Sequence, residues 1–303
     1  MKRLLLLLIL LLLGCRPAPA PPSFSLDPTP RLAILSAFDA ELARLLSQAT
    51  DKQTTTLNGR TVTTARLAGQ DVLLAPSGES MVNAAMTAQA VLDHFTIRAI
   101  LFSGIAGGVN PELSIGDVVI PAHWGEYQEQ RFARQKGDGW DPGGPAPFRN
   151  FGMMFPQKVG VTRAGATLDR EEETFWFEVD PKMLESARKV AETVQLDSCP
   201  TLGACLSRAP KVVVGGNGVS GPTFVDNAEY RQWVWTTFHA DALDMETAAV
   251  AHVAYTNGVP FLAFRSLSDL AGGGPGANEV VTFFQLAADN SARVVMAFLE
   301  AWK

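Results

Sequence analysis

The sequence predicts an α/β fold: a single-domain α/β/α sandwich around a mixed central β-sheet. Three observations predict it. Short apolar runs bounded by glycine or proline recur along the chain and read as buried strands. Between them lie stretches whose apolar residues fall on one helical face, and this alternation is the mark of strands covered by helices. The 303 residues are 47% hydrophobic and 18% charged, the balance of a globular domain with a sizeable core. No internal repeat is visible, and one domain with an insertion fits better than two.

The first element is a targeting signal. Met1-Lys2-Arg3 is basic, and residues 4–13 are ten consecutive apolar residues. Ten helical residues span about 15 Å, half of a bilayer core. Residues 1–14 therefore read as a signal peptide and not as a transmembrane anchor. Gly14-Cys15 resembles the end of a bacterial lipobox, with Cys15 as the lipidated first residue of the mature protein. Ordinary cleavage after Ala18-Pro19-Ala20 is the alternative, and Pro21 makes it a poor one. The expected location is the cell envelope, facing the periplasm or the exterior. Residues 15–30 hold six prolines and read as an extended tether.

From residue 31 the globular pattern begins. Residues 31–36 are a buried strand, and 38–48 a helix with Leu42, Leu45 and Leu46 on one face. Residues 54–67 form a hairpin about Asn58-Gly59, a strong turn signal. A strand at 72–75, an alanine-rich helix at 81–94, and strands at 99–103 and 118–120 follow. Residues 128–174 are rich in Gly, Pro, Arg and aromatic side chains and read as a long loop or insertion. A helix at 181–194 starts on Pro181, suited to a first turn. The remaining elements are a strand at 212–214, a helix at 226–235 capped by Asp226 with Glu229 three residues on, a helix at 245–256, a buried strand at 260–264 and a long helix at 278–302.

The net charge of −6 becomes −8 if Lys2 and Arg3 leave with the signal peptide. An acidic surface repels phosphate backbones, so nucleic acid is an unlikely partner by charge alone. Cys199 and Cys205 lie six apart, and an exported chain sits in an oxidising compartment, so a local disulfide is expected. Two free buried thiols are the alternative. Such a short loop contributes about 2 kcal/mol by the chain-entropy model. His94, His123, His239 and His252 are scattered, no Cys/His cluster has metal-ligand spacing, and neither a metal nor an organic cofactor is implied.

Several familiar sites are absent from the sequence. Gly104-Ile105-Ala106-Gly107-Gly108 lacks dinucleotide-loop spacing, and Gly218-Val219-Ser220-Gly221-Pro222 has proline where a nucleophile elbow needs glycine. What remains is a set of acidic residues at strand ends and helix starts. Asp269 follows a buried strand, where α/β sheets bind ligands. Glu246 and Glu41 lie in first helical turns. Taken singly, each reads equally as a cap or a helix-dipole partner.

Together they match a family. Ser103-Gly104-Ile105-Ala106-Gly107-Gly108-Val109, followed by Ile115-Gly116-Asp117-Val118-Val119, resembles the Gly-rich segment of the purine nucleoside phosphorylase/uridine phosphorylase superfamily. Asp244-Met245-Glu246-Thr247-Ala248-Ala249 with Arg265-Ser266-Leu267-Ser268-Asp269-Leu270-Ala271 resembles its methylthioadenosine/S-adenosylhomocysteine nucleosidase branch. Residues 219–231 and the cysteine pair are further similar to the plant bark storage proteins of that superfamily. The likeness runs over nearly the whole chain from residue 31, and it implies a nucleoside phosphorylase-like fold.

The resemblance also implies roles. Asp269 would protonate N7 of a purine so that the base leaves neutral, and Ser268 would hold Asp269 or the base edge. A useful acid near pH 7 needs a raised pKa, by burial or a neighbouring carboxylate. Glu246 would accept hydrogen bonds from the ribose hydroxyls, with Met245 beneath the sugar. Phe224 would stack on the base, and Val225 would offer its backbone. Gly104, Ala106 and Gly107 of the Gly-rich segment would line the substrate site. Glu41 would position and deprotonate a water. An aspartate at 269 favours adenine-type bases, and a homo-oligomer is expected.

Phe102 and Ile105 stand where the phosphorylases carry an arginine and a serine for phosphate, which favours water as nucleophile. Three departures accompany this. Ile105 replaces a serine of the nucleosidases, their Ser-Gly-Ile-Gly-Lys element appears as Ser77-Gly78-Glu79-Ser80-Met81, and the insertion is longer. Two alternatives stay open: a phosphorylase taking phosphate on Arg131 or Arg134 of the insertion, and a non-catalytic nucleoside-binding or storage lipoprotein.

Overall fold

A computed structural model describes residues 25–165, 172–200 and 205–302. The signal segment, Cys15 and the tether up to residue 24 lie outside the described residues. The strands of the main sheet are numbered here in chain order. β1 (Asp27–Ser36) leads to α1 (Asp39–Gln48), then to the meander β2 (Thr50–Leu57), β3 (Arg60–Leu67) and β4 (Gln70–Pro76). α2 (Met81–His94), β5 (Phe95–Gly108), β6 (Val118–Ile120) and β7 (His123–Glu126) follow. After the insertion come β8 (Trp176–Glu178), α3 (Pro181–Ala191), β9 (Val212–Val214), β10 (Asn217–Ser220) and α4 (Ala228–Phe238). The chain closes with β11 (Ala240–Asp244), α5 (Thr247–Asn257), β12 (Phe261–Asp269) and α6 (Val280–Ala301).

The strands order as β8-β7-β10-β11-β5-β1-β4-β3-β2, with β12 on β5 and β6, and β9 on β6. β1 runs parallel to β4 and β5, and β12 runs parallel to β5. α6 packs with α1 and α3, and α2 packs with α5, which gives the two helical layers. Among the described residues no helix is long and apolar enough to cross a membrane.

Several boundaries differ from expectation, each for a physical reason. β1 begins at Asp27, inside the expected tether. Its first residues pair only with β5, Asp27 opposite Phe95, and pairing with β4 starts at Leu32. One side of the strand is thus an edge there, where Pro28 and Pro30 leave no ladder bond unmade. β5 extends to Gly108 because its glycines let it change partners. Up to Phe102 it lies between β1 and β12, and Gly107 and Gly108 pair antiparallel with Leu243 and Ala242 of β11. β12 runs on to Asp269 with all nine residues buried. The hairpin turn at Asn58 and Gly59 has φ of 50° and 78°, as a two-residue primed turn demands.

The cap of α4 is Asn227, which accepts Tyr230 N–H at 2.8 Å, and not Asp226. Asp226 accepts Asn278 Nδ2 instead, at 3.0 Å. Residues 128–174 are not a bare loop. Short antiparallel ribbons pair Gln130–Phe132 with Met154–Pro156, Arg134–Lys136 with Gly139–Asp141, and Val159–Val161 with Glu172–Thr174. Phe148, Phe151 and Phe175 fasten this segment to Tyr230, Trp233 and Phe238 of α4. Cys199 and Cys205 are joined by a disulfide.

Candidate active site

A cavity of about 290 Å³ opens at the carboxyl ends of β1, β5 and β12, the end of a parallel sheet where ligands bind. The local sequence aims its acidic residues inward. Phe38 ends β1's turn with extended backbone and starts α1, so Glu41 is the third helical residue and points back at the helix start. Its Oε2 accepts Phe38 N–H at 3.0 Å, and its Oε1 accepts Ile105 N–H of β5 at 2.8 Å. Gly104 makes this approach possible, since a Cβ there would overlap the Glu41 carboxylate.

Glu246 precedes α5, and its side chain caps nothing in its own helix. It reaches the start of α2, where Ser80 N–H donates to Oε1 at 2.7 Å. Asp269 ends β12. Its Oδ1 accepts Ala271 N–H at 2.8 Å, and Ser268 Oγ donates to Oδ2 at 2.8 Å. Glu41, Glu246 and Asp269 are 1%, 4% and 3% exposed, so each carboxyl is nearly free of water.

Burial is the largest influence on all three and raises their pKa values. Glu246 is pushed to about 7 by burial and the neighbouring Asp244 carboxylate, with Arg265 opposing. Glu41 is raised by burial, while Arg265 and backbone N–H groups pull it back. Asp269 is raised by burial, is pulled back only by neutral donors, and has the Glu279 carboxylate nearby. Environment therefore divides the labour: a cation favours the charged form at Glu41, and none does so at Asp269.

Arg265 is the main residue that the sequence did not single out. It lies in the middle of β12, 1% exposed, with Nε 3.0 Å from Asp244 Oδ2 and Nη2 3.6 Å from Glu246 Oε2. Its guanidinium stands 5.0 Å from the Phe102 ring centroid. Phe102 thus supports this guanidinium with its ring. The Nε contact is close but poorly angled, and Nη1 has no hydrogen-bond partner among the described residues. A buried guanidinium N–H on the cavity wall beside Glu41 is a ready donor for a small oxygen ligand. Asp244, also missed, receives Ser220 Oγ, Thr247 Oγ1 and two backbone N–H groups, which fix the turn carrying Met245 and Glu246.

Asp269, Glu41, Glu246, Met245, Phe224 and Val225 all line the cavity, as do Ser268, Ala106 and Gly107. Gly104 stands behind Glu41 and does not line it. Phe224 is 55% exposed at the rim and leaves a face for a flat ligand. Arg131 and Arg134 lie outside this cavity, and Arg131 Nη1 donates to Pro142 C=O at 2.6 Å. The insertion thus brings neither arginine to the site. Glu41 and Asp269 both line the cavity and are held by neighbouring stretches of β5 and β12. Glu41 is bonded at Ile105, beside Gly104, which is paired with Arg265. Asp269 is paired with Gly107, three residues on. Among the described residues no cluster of His, Cys, Asp and Glu is arranged to hold a metal ion.

An α/β sheet whose ligand-binding end holds buried carboxyls of contrasting environment in one cavity defines an enzyme of the general acid–base class. Its family is equally definite. Residues 31–300 match the model of the Phosphorylase superfamily, and the chain belongs to it. The chain is 29% identical over 272 residues to the 5'-methylthioadenosine/S-adenosylhomocysteine nucleosidase of Tolumonas auensis, covering 89% of this chain and 99% of that one. It is similar in structure to the S-adenosylhomocysteine nucleosidase of Streptococcus pyogenes in complex with 5-methylthiotubericidin. That match has a TM-score of 0.67 and 25% identity, and it covers 91% of this chain and 98% of the other. The futalosine hydrolase of Helicobacter pylori shares the fold at TM-score 0.67 and 21% identity, over 89% of this chain and 97% of its own.

Proposed function

We propose that the protein is a purine nucleosidase that hydrolyses the N-glycosidic bond of adenine-type nucleosides to free base and sugar. The observation that carries this reading is the pair of buried carboxyls that line one cavity, Glu41 beside Arg265 and Asp269 with no cation near it among the described residues. The nucleosidases among its relatives support the same reaction class.

The base lies between Phe224 and the β12 end, with N7 at Asp269. Glu246 and Met245 hold the ribose. Water sits between Glu41 and the free Nη1 of Arg265. As the C1′–N9 bond breaks, the Asp269 proton passes to N7, so the purine leaves neutral. Positive charge grows on the sugar, and the acidic wall stabilises it. The water oxygen bonds to C1′ and its proton goes to Glu41, the logic of inverting glycoside hydrolysis.

Charge supports water over phosphate. Among the described residues that line the cavity, Glu41, Glu79, Asp244, Glu246 and Asp269 stand against Arg265, five carboxyl groups to one guanidinium. A phosphate dianion meets repulsion there, whereas a water and a cationic sugar do not. The test is free-base release from methylthioadenosine, adenosine and inosine, with and without phosphate. Equal adenine release in both buffers is expected. Release only with phosphate refutes hydrolysis, and no release refutes the enzymatic reading.

The proposal extends to the cell. The apolar run before Gly14-Cys15 supports export and lipid anchoring at Cys15. Mass analysis of the mature amino terminus should find an acylated Cys15, and a free terminus at Pro21 refutes it. Exposed Val82 and Met86, one turn apart on α2, support a homo-oligomer, which light scattering on the purified protein checks.

A further inference from the structure

The base, ribose and water leave one part of the cavity without an occupant: its mouth, walled by Phe38, Val280, Phe284 and Glu79. Phe38 and Phe284 meet edge to face there, with ring centroids 6.1 Å apart. Glu79 is exposed, and its carboxylate has no hydrogen bond or ion pair among the described residues. Only its carbonyl is engaged, accepting Asn83 Nδ2 at 2.7 Å. Its backbone is fixed on both sides. Gly78 N–H donates to Ala37 C=O at 3.1 Å, and Ser80 N–H donates to Glu246 Oε1 at 2.7 Å. The Glu79 backbone is thereby held next to Ser80, whose N–H binds Glu246, and its side chain lines the cavity together with Phe38.

A ribose with C1′ toward Asp269 and Glu41, and its 2′ and 3′ hydroxyls on Glu246, has only C5′ left to face this mouth. We infer that Glu79 selects nucleosides whose 5′ substituent carries a hydrogen-bond donor or a positive charge, over those whose 5′ end is apolar or anionic. The inference rests on the nucleosidase reading. A carboxylate only accepts hydrogen bonds. A hydroxyl or ammonium satisfies it, an apolar group strips its water without replacement, and an anion is repelled.

The experiment compares kcat/KM for 5′-amino-5′-deoxyadenosine, adenosine and 5′-deoxyadenosine in the wild-type protein and in Glu79→Gln and Glu79→Leu. The wild type should prefer the amino compound over the deoxy compound by roughly tenfold at low salt. The preference should shrink with added salt and approach unity in Glu79→Leu. Equal ratios in wild type and Glu79→Leu, with hydrolysis intact, overturn the role of Glu79 and leave the nucleosidase standing. If no nucleoside is hydrolysed, the nucleosidase reading fails, and the same ratio is read from dissociation constants by calorimetry. Dissociation constants that are indifferent to Glu79, or no binding at all, overturn the inference as well.

Discussion

Replacing Asp269 by asparagine removes a proton and almost nothing else. The amide oxygen keeps Ala271 N–H, now at 2.8 Å, and the amide NH₂ donates to Ser268 Oγ in place of the bond accepted from it at 2.8 Å. Ser268 Oγ already lies 3.4 Å from Ala106 C=O and turns its hydroxyl there. The fold should therefore change by no more than about 1 kcal/mol. The amide offers N7 a hydrogen bond but no proton, so the purine must leave as an anion. General-acid catalysis contributes roughly 10² to 10⁴, which is about 3–5 kcal/mol of barrier. The assay is adenine release between pH 5 and 9. Wild-type kcat/KM should fall as pH rises through the raised pKa of Asp269, because the acid must be protonated. The variant should lose both the rate and that alkaline limb. A kcat within threefold of wild type, or a limb that persists, refutes Asp269 as the acid.

Other predictions follow from the same wall. Glu246 has a folded pKa of about 7 against a usual 4.5, so its buried charge costs stability, absent below about pH 4.5 and fully felt above pH 7. Glu246→Gln should abolish turnover yet exceed wild-type unfolding free energy by about 2 kcal/mol at pH 8 and not at pH 4.5. A less stable variant at pH 8 contradicts this. Arg265→Met leaves Asp244, Glu246 and Glu41 without a buried cation and should cost about 3–5 kcal/mol at pH 7.5. Part should return at pH 5, because the folded state binds protons at Glu41 and Glu246 more tightly than the unfolded chain; a pH-independent loss in urea melts counts against the charge network. Cys199→Ala with Cys205→Ala should cost about 2 kcal/mol in thermal unfolding, with kcat/KM unchanged within twofold.

The sequence was readable where one pattern acts alone. α2, β6 and β9 fall at the expected residues because an alanine-rich helix and short valine-isoleucine runs have no competing signal. Asn58-Gly59 placed the hairpin for the same reason. The pattern failed where a strand carries function. β12 reads as ending at Phe264 because Arg265, Ser266, Ser268 and Asp269 look like surface, yet all are buried in the sheet, where Arg265 meets the Asp244 and Glu246 carboxylates. β7, β10 and β11 are four or five residues long and hold His, Glu, Asn and Asp, too few and too polar for alternation to register. Glu41, Glu246 and Asp269 were each ambiguous, since a carboxylate at a helix start or just past a strand serves a cap and a catalyst alike. Only the sheet brings them to one cavity. Arg265 had a signal in principle, because a guanidinium inside an apolar strand requires buried anions.

Glu41 has a second consequence, one for descent. Its two oxygens join Phe38 of α1 to Ile105 of β5. A lineage that abandons hydrolysis still needs that staple, because glutamine would set its NH₂ against a backbone N–H and leave a buried donor unmet, at about 1–3 kcal/mol. Asp269 carries no such obligation, since asparagine fits its bonds. In a descendant that has drifted to mere ligand storage, position 41 should still read Glu while position 269 wanders. On the mechanism proposed above, the second position, and not the first, would therefore report whether a copy of this fold still turns over.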